Sequence, residues 1–187
     1  MSIKISKVTI DDAPELLRIY APYVKDTAIS FEYEVPTLEE FERRIRNISS
    51  NLPYIKATID GRIVGYAYAN SFKERAAYDW SVETTVYVDF ECRQKGIGSS
   101  LYKTLEGILK DIGILNMNAC IASPISESKY LTDDSIKFHT AMGFTEVGKF
   151  HNSGYKFGKW FDMIWMEKII GNHEGNVTEV RFGEWRI

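Results

Sequence analysis

The first fifty residues carry one extended and two helical patterns of hydrophobic positions. Ile3 and Ile5 alternate with polar neighbours, as expected of a first strand. Two amphipathic helices are predicted next, because Asp12 and Thr37 are each followed three positions later by a glutamate, which is the spacing of a helical capping box. The chain is therefore predicted to open with a strand and two helices.

A β meander is predicted to follow these helices. Runs 54–59 and 62–70 are rich in β-branched and aromatic residues, and they are joined by Asp60-Gly61, a pair that accepts the positive φ of a tight hairpin turn. The extended pattern continues through 80–88. This region therefore predicts three strands, two of them paired as a hairpin.

The second half of the chain alternates helical and extended patterns. Apolar residues at three- and four-residue spacing predict a helix through 101–112, with Gly113 just past its end. The remaining predicted elements are a strand at 117–122, a helix at 131–142, and strands at 144–150 and 161–169. This order predicts an α+β fold in which helices cover both faces of a mixed, mostly antiparallel sheet.

The length and composition predict a single globular domain. The chain has 187 residues, of which 44% are hydrophobic, enough for one sizeable core. We expect the domain to span 1–170 and to be followed by a tail at 171–187, whose Phe182 and Trp185 would dock on the domain or on a dimer partner. The aromatic content of 13% and this tail favour a homodimer.

The charge balance favours a small-molecule partner. Twenty-three basic and 26 acidic residues give a formal net charge of -3, which lacks the basic excess of proteins that bind nucleic acid or anionic membranes. The sequence contains no apolar run of about 18 residues and its start does not resemble a signal peptide, so we expect a cytoplasmic protein. Cys92 and Cys120 are interpreted as reduced thiols, and the three histidines lack zinc spacing, so no metal is expected.

A glycine-rich segment at 96–98 follows a predicted strand and precedes a predicted helix. Such glycines let backbone N–H groups converge on an anion that the helix N-terminus also attracts, although an ordinary turn is the alternative. A dinucleotide-binding motif is excluded because Leu101 stands where its last glycine is needed, and no Gly-Lys-Ser/Thr follows as a P-loop requires. A diphosphate is the predicted ligand.

The sequence around this segment resembles a known enzyme family. Arg93-Gln-Lys-Gly-Ile-Gly98 has the form [QR]-x-x-G-x-[GA] and resembles the coenzyme A loop of the GCN5-related N-acetyltransferases. Segments 72–88 and 153–160 resemble the phosphinothricin acetyltransferase group of that family. The resemblance covers roughly residues 3 to 170, and it implies the mixed sheet of that family, acetyl-CoA as cosubstrate, and acetylation of the free amine of a small amino-acid-like compound.

The resemblance also implies which residues hold acetyl-CoA. It assigns pantetheine contacts to strand 86–88 and pyrophosphate contacts to 94–99, with Arg93 at the start of the loop. The family's Asn-x-x-[AS] motif is replaced here by Thr132-Asp-Asp-Ser135, whose two hydroxyls could still reach the cofactor. The full predicted set is Val86, Tyr87, Val88, Arg93, Gln94, Lys95, Gly96, Ile97, Gly98, Ser99, Thr132 and Ser135.

Two residues are candidates for proton transfer. Glu83 interrupts an apolar and threonine-rich strand at the family's general-base position, where partial desolvation would raise its pKa; the alternative is a glutamate that faces water. His139 occupies the position where the family usually has a tyrosine acid, and the alternative is a structural histidine. The resemblance also implies that the backbone N–H of Val86 is the oxyanion donor.

Substrate recognition is predicted from cationic and aromatic residues around Glu83. Arginine and lysine match a carboxylate or phosphinate, and aromatic side chains can form the walls of a compact pocket, although such residues are often solvated or in the core. The candidates are Phe31, Glu32, Lys73, Arg75, Tyr78, Trp80 and Tyr155. The leading hypothesis is an N-acetyltransferase acting on a phosphinothricin- or methionine sulfoximine-type amine; the alternatives are acetylation of protein N-termini or polyamines, or a catalytically idle CoA-binding module.

Overall fold

The computed structural model describes residues 2–187, which form a seven-stranded sheet and four α-helices. The strands are β1 (Lys4–Lys7), β2 (Tyr54–Ile59), β3 (Arg62–Ser71), β4 (Ser81–Val88), β5 (Asn116–Ser123), β6 (Thr145–Lys156) and β7 (Lys159–Ile169). The helices are α1 (Ala13–Asp26), α2 (Leu38–Ser49), α3 (Ile97–Ile112) and α4 (Asp134–Ala141). None of these helices has the length and apolar character to cross a bilayer.

The strands follow the order β1-β2-β3-β4-β5-β7-β6 across the sheet. Every neighbouring pair is antiparallel except β4 and β5, which are parallel. The parallel pair is possible because α3 crosses over between the two strands. The prediction of a mixed, mostly antiparallel sheet is confirmed.

Each face of the sheet is covered by a different pair of helices. On one face, α1 and α2 bury Leu16 and Phe41 against a layer that includes Tyr66. On the other face, α3 buries Leu101 and Leu105, and α4 packs at the edge of the same cluster. Because alternate strand residues point to opposite faces, β4 presents Tyr87 to the first cluster and Val82, Val86 and Val88 to the second.

The two central strands separate part-way along their length. β4 and β5 pair only from Ser81↔Asn116 to Glu83↔Asn118. Beyond this point β4 remains paired with β3, while β5 remains paired with β7 as far as Ser123. The sheet therefore opens into a gap between the carboxyl-terminal halves of β4 and β5.

Two of the predicted local turn and cap features are present in the structure, and one is not. Asp60 and Gly61 have φ of 50° and 82°, as the predicted tight hairpin requires, and the Thr37 hydroxyl accepts a hydrogen bond from the Glu40 backbone N–H. The predicted capping box at Asp12 is wrong. Its carboxylate instead accepts hydrogen bonds from Thr9 and from the ammonium of Lys56.

Strands β6 and β7 form a longer hairpin than the hydrophobic pattern predicts. The pattern ends the first strand at 150 and begins the next at 161, but the structure pairs them up to Lys156↔Lys159. Phe157 and Gly158 form the turn with φ of 52° and 72°. The pattern failed because β6 is mostly exposed and interrupted by irregularities, so it lacks the alternation that marks a half-buried strand.

The C-terminal tail packs on the domain without forming a helix or strand. Trp185 is 4% exposed, lies in the α3-side core and has the Lys7 ammonium 3.9 Å from its ring centroid. Backbone hydrogen bonds from Arg181 to Ile112 and from Gly183 to Asn51 anchor the segment further. Of the two tail aromatics, Trp185 is therefore buried in its own chain whereas Phe182 is exposed, and the domain boundary at 170 stays a prediction.

Candidate active site

A cavity of about 390 Å³ occupies the gap between β4 and β5. Its walls combine the α1–α2 loop on one side of the sheet with α3 and α4 on the other, so the gap connects the two faces. The lining residues include Phe31 and Ser30 from the loop, Glu83 and Val86 from β4, and His139 from α4. The sheet therefore brings a carboxylate, an imidazole and free strand edges to one place.

Glu83 lies where the two strands begin to separate. It faces the α1–α2 side, since its register partner is Asn70 and it alternates with Val82, which is buried on the α3 side. Partial burial raises the pKa of its carboxyl group, and the nearby Lys73 ammonium opposes part of that increase. The carboxyl group of Glu83 is thus a weaker acid than that of an exposed glutamate, and its carboxylate accepts a proton more readily.

The edge of β4 that faces the gap carries backbone groups without a strand partner. The carbonyl of Val82 accepts a hydrogen bond from the Asn118 amide at 3.1 Å, and the carbonyl of Thr84 faces the Tyr102 hydroxyl at 3.3 Å. Because backbone groups of alternate residues point to the same edge, the N–H and C=O of Val86 also point into the gap. The Tyr23 hydroxyl contacts both backbone groups of Val88.

The loop before α3 has the backbone conformation of an anion site. Gln94 and Gly96 have φ of 61° and 76°, and the first intrahelical bond runs from the Ser100 N–H to the Gly96 carbonyl. The N–H groups at 97–99 consequently have no partner within the helix, and they sit at its positive end. Gly98 allows close packing as well, because a Cβ there would lie 3.2 Å from the Phe138 ring.

His139 is buried among aromatic rings and has a partner at each ring nitrogen. Nδ1 lies 2.7 Å from the Ser135 carbonyl, so it must donate, and Nε2 lies 3.0 Å from the Tyr102 hydroxyl. Burial lowers the pKa of His139, which keeps the imidazole neutral near pH 7. In that state Nε2 is an acceptor, so the proton between the two side chains belongs to the Tyr102 hydroxyl, which has the Thr84 carbonyl as its other acceptor.

The predicted substrate residues fall into separate groups. Phe31 lines the cavity beside Glu83. Lys73, Arg75 and Tyr78 line an adjoining surface cavity of about 760 Å³ that also contains Asn70, the register partner of Glu83. The structure therefore brings one of the seven candidates to the main cavity and three to the surface cavity that contains Asn70.

The other three substrate candidates are occupied elsewhere. Glu32 forms a 2.6 Å ion pair with Arg44 in a smaller cavity of about 200 Å³. The Trp80 indole donates to the Thr178 carbonyl at 2.8 Å and so anchors the tail. Tyr155 is exposed, with its ring 5.0 Å from Trp160. None of the three lines the main cavity or the 760 Å³ surface cavity, although the cavity of Glu32 shares Tyr68 and Tyr87 with the main one, and their substrate contacts stay predictions.

Some of the predicted cofactor residues line the main cavity and others do not. Ser135 lines the main cavity with Val86 and Tyr87, whereas the Thr132 hydroxyl accepts from the Asp134 N–H at 3.4 Å and is absent from the cavity wall. The reason is that α4 begins at Asp134, later than its pattern predicts, and Thr132 is used at the helix entrance. Leu131 lines the cavity in its neighbourhood.

Three residues that the sequence did not single out contribute to the cavity. Tyr102 follows Leu101 on the apolar face of α3, where its hydroxyl was not distinguishable from a core position. Tyr68 belongs to the tyrosine layer under α2, and burial raises its pKa to about 12. Cys120 borders Glu83, and burial together with that carboxylate raises the pKa of its thiol to about 11, which makes it a poor nucleophile.

Comparison with known proteins adds independent findings. Residues 5–165 match the model of the acetyltransferase (GNAT) domain. The chain is 32% identical to the phosphinothricin N-acetyltransferase of Streptomyces viridochromogenes over 86% of this chain and 84% of that protein. It is 30% identical to the L-methionine sulfoximine/L-methionine sulfone acetyltransferase of Pseudomonas aeruginosa, over 89% and 94% of the two chains.

A solved structure extends the similarity to the whole fold. The crystal structure of a phosphinothricin acetyltransferase from Sinorhizobium meliloti in complex with AcCoA superposes with a TM-score of 0.89 at 30% identity. The match covers 99% of this chain and 98% of that one. Within residues 2–187, no group of three or more histidine, cysteine, aspartate or glutamate side chains is arranged to hold a metal ion.

The electrostatics of the cavity predict how Glu83 titrates. Its pKa should lie above that of an ordinary glutamate, and Lys73→Met should raise it further, because removal of the ammonium withdraws a charge that favours the carboxylate. Carboxyl-carbon NMR titration of both proteins measures the two values, with Lys103→Met as an exposed control. A Glu83 resonance that titrates in the ordinary range, or does not respond to Lys73→Met, would contradict this electrostatic picture.

Proposed function

The chain belongs to the GNAT acetyltransferase family, and we propose that its cavity acetylates the free amine of a small amino-acid-like substrate with Glu83 as the general base. The observation that carries this proposal is the position of Glu83. It is a desolvated carboxylate at the point where β4 and β5 separate, beside backbone groups that have no strand partner. Phosphinothricin and methionine sulfoximine, named in the relatives above, represent the substrate class that we propose.

The residues around the gap fit acetyl-CoA, which supplies an activated acetyl thioester when bound. The unpartnered N–H groups at 97–99 suit its diphosphate, and the loop 93–96 holds them in place. The gap-side edge of β4 has no strand partner at 86–88, where the Tyr23 hydroxyl bonds the backbone groups of Val88. The open groups of Val86 suit the amide groups of the pantetheine arm, since an extended chain can bond to an open strand edge. Ser135 lies at the wall where the arm would enter the cavity.

The charges next to Glu83 fit an anionic amino-acid-like acceptor. Lys73 lies near the base, and Arg75 lines the same surface cavity as Lys73; both cations can pair with a carboxylate or phosphinate while the substrate amine points toward Glu83. Tyr78 and Phe31 supply aromatic walls on either side. A polyamine would meet these cations with the wrong charge, which favours the small anionic substrate over that alternative.

Glu83 would remove a proton from the substrate ammonium, directly or through one water. An amine attacks a carbonyl through its lone pair, and a free α-amine is mostly protonated at neutral pH. The Val86 N–H points into the same gap and would donate to the carbonyl oxygen as negative charge develops there. The base and the oxyanion donor are thus on one strand, three residues apart.

The leaving thiolate needs a proton donor on the α3–α4 side of the cavity. We assign this role to the Tyr102 hydroxyl, whose single proton rests on Nε2 of His139 at 3.0 Å or the Thr84 carbonyl at 3.3 Å and would turn from them to the departing thiolate. The neutral imidazole cannot donate from Nε2, because its proton is held on Nδ1 by the Ser135 carbonyl. This assignment replaces direct donation from His139, the role expected from its position in the sequence.

We also propose a cytoplasmic homodimer. Cys92 and Cys120 are both free, as is usual in a reducing compartment. β6 is an edge strand with an open row of backbone groups, and it exposes Val147 and Phe150, while the neighbouring β7 exposes Trp160. An unprotected edge of this kind favours pairing with a second copy.

Replacing Glu83 tests the proposed reaction. Glu83→Gln keeps the shape but cannot accept the proton, so kcat/KM should fall by about 10² to 10⁴, with little change in acetyl-CoA affinity. The parent's kcat/KM should rise with pH through the raised pKa of Glu83, and the variant should lose that step. Initial rates are measured by thiol release on a panel of phosphinothricin, methionine sulfoximine, an N-terminal peptide and a polyamine.

Glu146→Gln, an exposed glutamate on β6, is the matched control and should keep parental kinetics. Near-parental activity of Glu83→Gln with an unchanged pH profile would refute the assignment of the base. Preference for the peptide or the polyamine would instead refute the substrate class.

Removing the Tyr102 hydroxyl tests the proposed acid. Tyr102→Phe should lower kcat by about 10² with acetyl-CoA, because the thiolate loses its proton donor. The loss should shrink with an acetyl thioester of a more acidic thiol, which departs without protonation. Equal losses with both thioesters would contradict an acid role, and Tyr130→Phe serves as a tyrosine control outside the cavity lining.

Charging the β6 edge tests the dimer. Phe150→Lys should convert a dimer into a monomer in light scattering at the same protein concentration, because a cation would enter an apolar contact. A parent protein that is monomeric over a wide concentration range would remove the proposal.

A further inference from the structure

Strand β6 has an unusual burial pattern that points to one lysine. Of its twelve residues only Gly154 and Lys156 are buried, and the Lys156 side chain is 2% exposed. A lysine is almost never fully buried without a specific set of partners. Lys156 therefore has contacts that need an explanation beyond strand formation.

The partners of Lys156 are three backbone carbonyls of a different part of the chain. Its ammonium donates to the carbonyl oxygens of Val24 at 2.7 Å, Thr27 at 2.9 Å and Ser30 at 2.7 Å. An ammonium has three protons, so these bonds satisfy it completely. The structure gives this ammonium no carboxylate partner among residues 2–187, and the nearby Glu32 is held by Arg44 instead.

Two of these carbonyls explain why a cation is placed there. Val24 lies in the last turn of α1 and Thr27 is its C-terminal cap, so their carbonyls lack helical partners at the negative end of the helix dipole. The third carbonyl belongs to Ser30, which lines the main cavity together with Ile29 and Phe31. One ammonium thus ties the end of α1 to the segment of loop that forms the wall of the cavity.

A second contact joins the same two segments. Phe31 packs so closely against Gly154 that an added Cβ would overlap its ring, and Phe31 also lies 6.3 Å from the ring of Phe161 in β7. Gly154 and Lys156 are two positions apart on β6 and therefore point to the same side. Both buried residues of β6 therefore contact the loop at 28–31.

We propose that Lys156 is a positioning residue for the amine substrate: its ammonium, bound to the carbonyls of Val24, Thr27 and Ser30, fixes the loop that places Phe31 beside Glu83. This inference rests on the proposed function, because it concerns the acceptor side of the same cavity. Lys156 does not touch the reacting atoms in this account. It acts through the shape of the wall that the substrate meets.

Lys156→Met tests the proposal, since methionine is similar in length and can remain buried without the charge. The KM for the amine should rise about tenfold or more, while the KM for acetyl-CoA should stay within about twofold, because none of the three carbonyls that Lys156 binds belongs to a predicted cofactor residue. Lys159→Met, an exposed lysine of the same hairpin, is the matched control. Gly154→Ala retains the charge but displaces Phe31, and it should raise the same constant.

Hydrogen exchange of the free protein tests the clamp independently of catalysis. In Lys156→Met the backbone amides of 28–32 should exchange faster than in the parent, while those of α3 should not change. In a double-mutant cycle with Phe31→Ala, the effects on the amine KM should be strongly non-additive, because both changes disturb the same wall.

Three results would overturn the proposal. Unchanged exchange at 28–32 would show that Lys156 does not order the loop. Faster exchange with a parental amine KM would show that the ordering does not serve the substrate, and an equal rise of both Michaelis constants would indicate general destabilisation. If the parent acetylated no amine in the panel, the proposed function would fail, whereas the exchange measurement would still decide whether Lys156 holds the loop.

Discussion

The separation of β4 and β5 is the constraint on which the rest of the site depends. Two parallel strands that stayed paired would use all of their edge groups on each other and leave no room between them. Here side-chain hydrogen bonds replace backbone pairing where the paired stretch ends. The Thr84 hydroxyl donates to the Asn118 carbonyl, and the Asn118 amide donates to the Val82 carbonyl. Past these bonds the strand edges diverge, and the gap connects the two faces of the sheet.

The gap places two titratable groups on opposite sides of one cavity, where burial shifts them in opposite senses. Desolvation disfavours the charged form of either group, so it raises the pKa of Glu83 and lowers that of His139. The first group becomes a better proton acceptor on the substrate side. The second becomes a neutral partner that orients Tyr102 on the cofactor side. In the proposed reaction, a single physical cause thus separates the two proton-transfer roles.

The sequence predicted the elements whose signals are local. Several predicted features follow from residues close together in the chain. They are the Asp60-Gly61 turn, the capped start of α2, the end of α3 at Gly113, and the succession of helices and strands along the sequence. Glu83 stood out because a carboxylate is unexpected in an apolar strand. The loop at 94–98 stood out because glycine spacing matters directly to backbone geometry.

The parts that could not be predicted depend on contacts between distant segments. The sequence gives no sign that the Trp80 indole donates to the carbonyl of Thr178 in the tail, or that Glu32 forms an ion pair with Arg44. Tyr102 was hidden by the apolar pattern of α3. Lys156 was hidden by the irregular, exposed character of β6, although its burial holds the loop beside the cavity.

The central claim is that the open edge of β4 receives acetyl-CoA in the gap between β4 and β5. A crystal structure of the protein with acetyl-CoA tests this most directly. The account predicts the diphosphate at the N–H groups of 97–99, the pantetheine arm along the edge at 86–88, and the Val86 N–H bonded to the thioester oxygen. Acetyl-CoA bound outside the gap, or strands that close to pair along their full length, would contradict it.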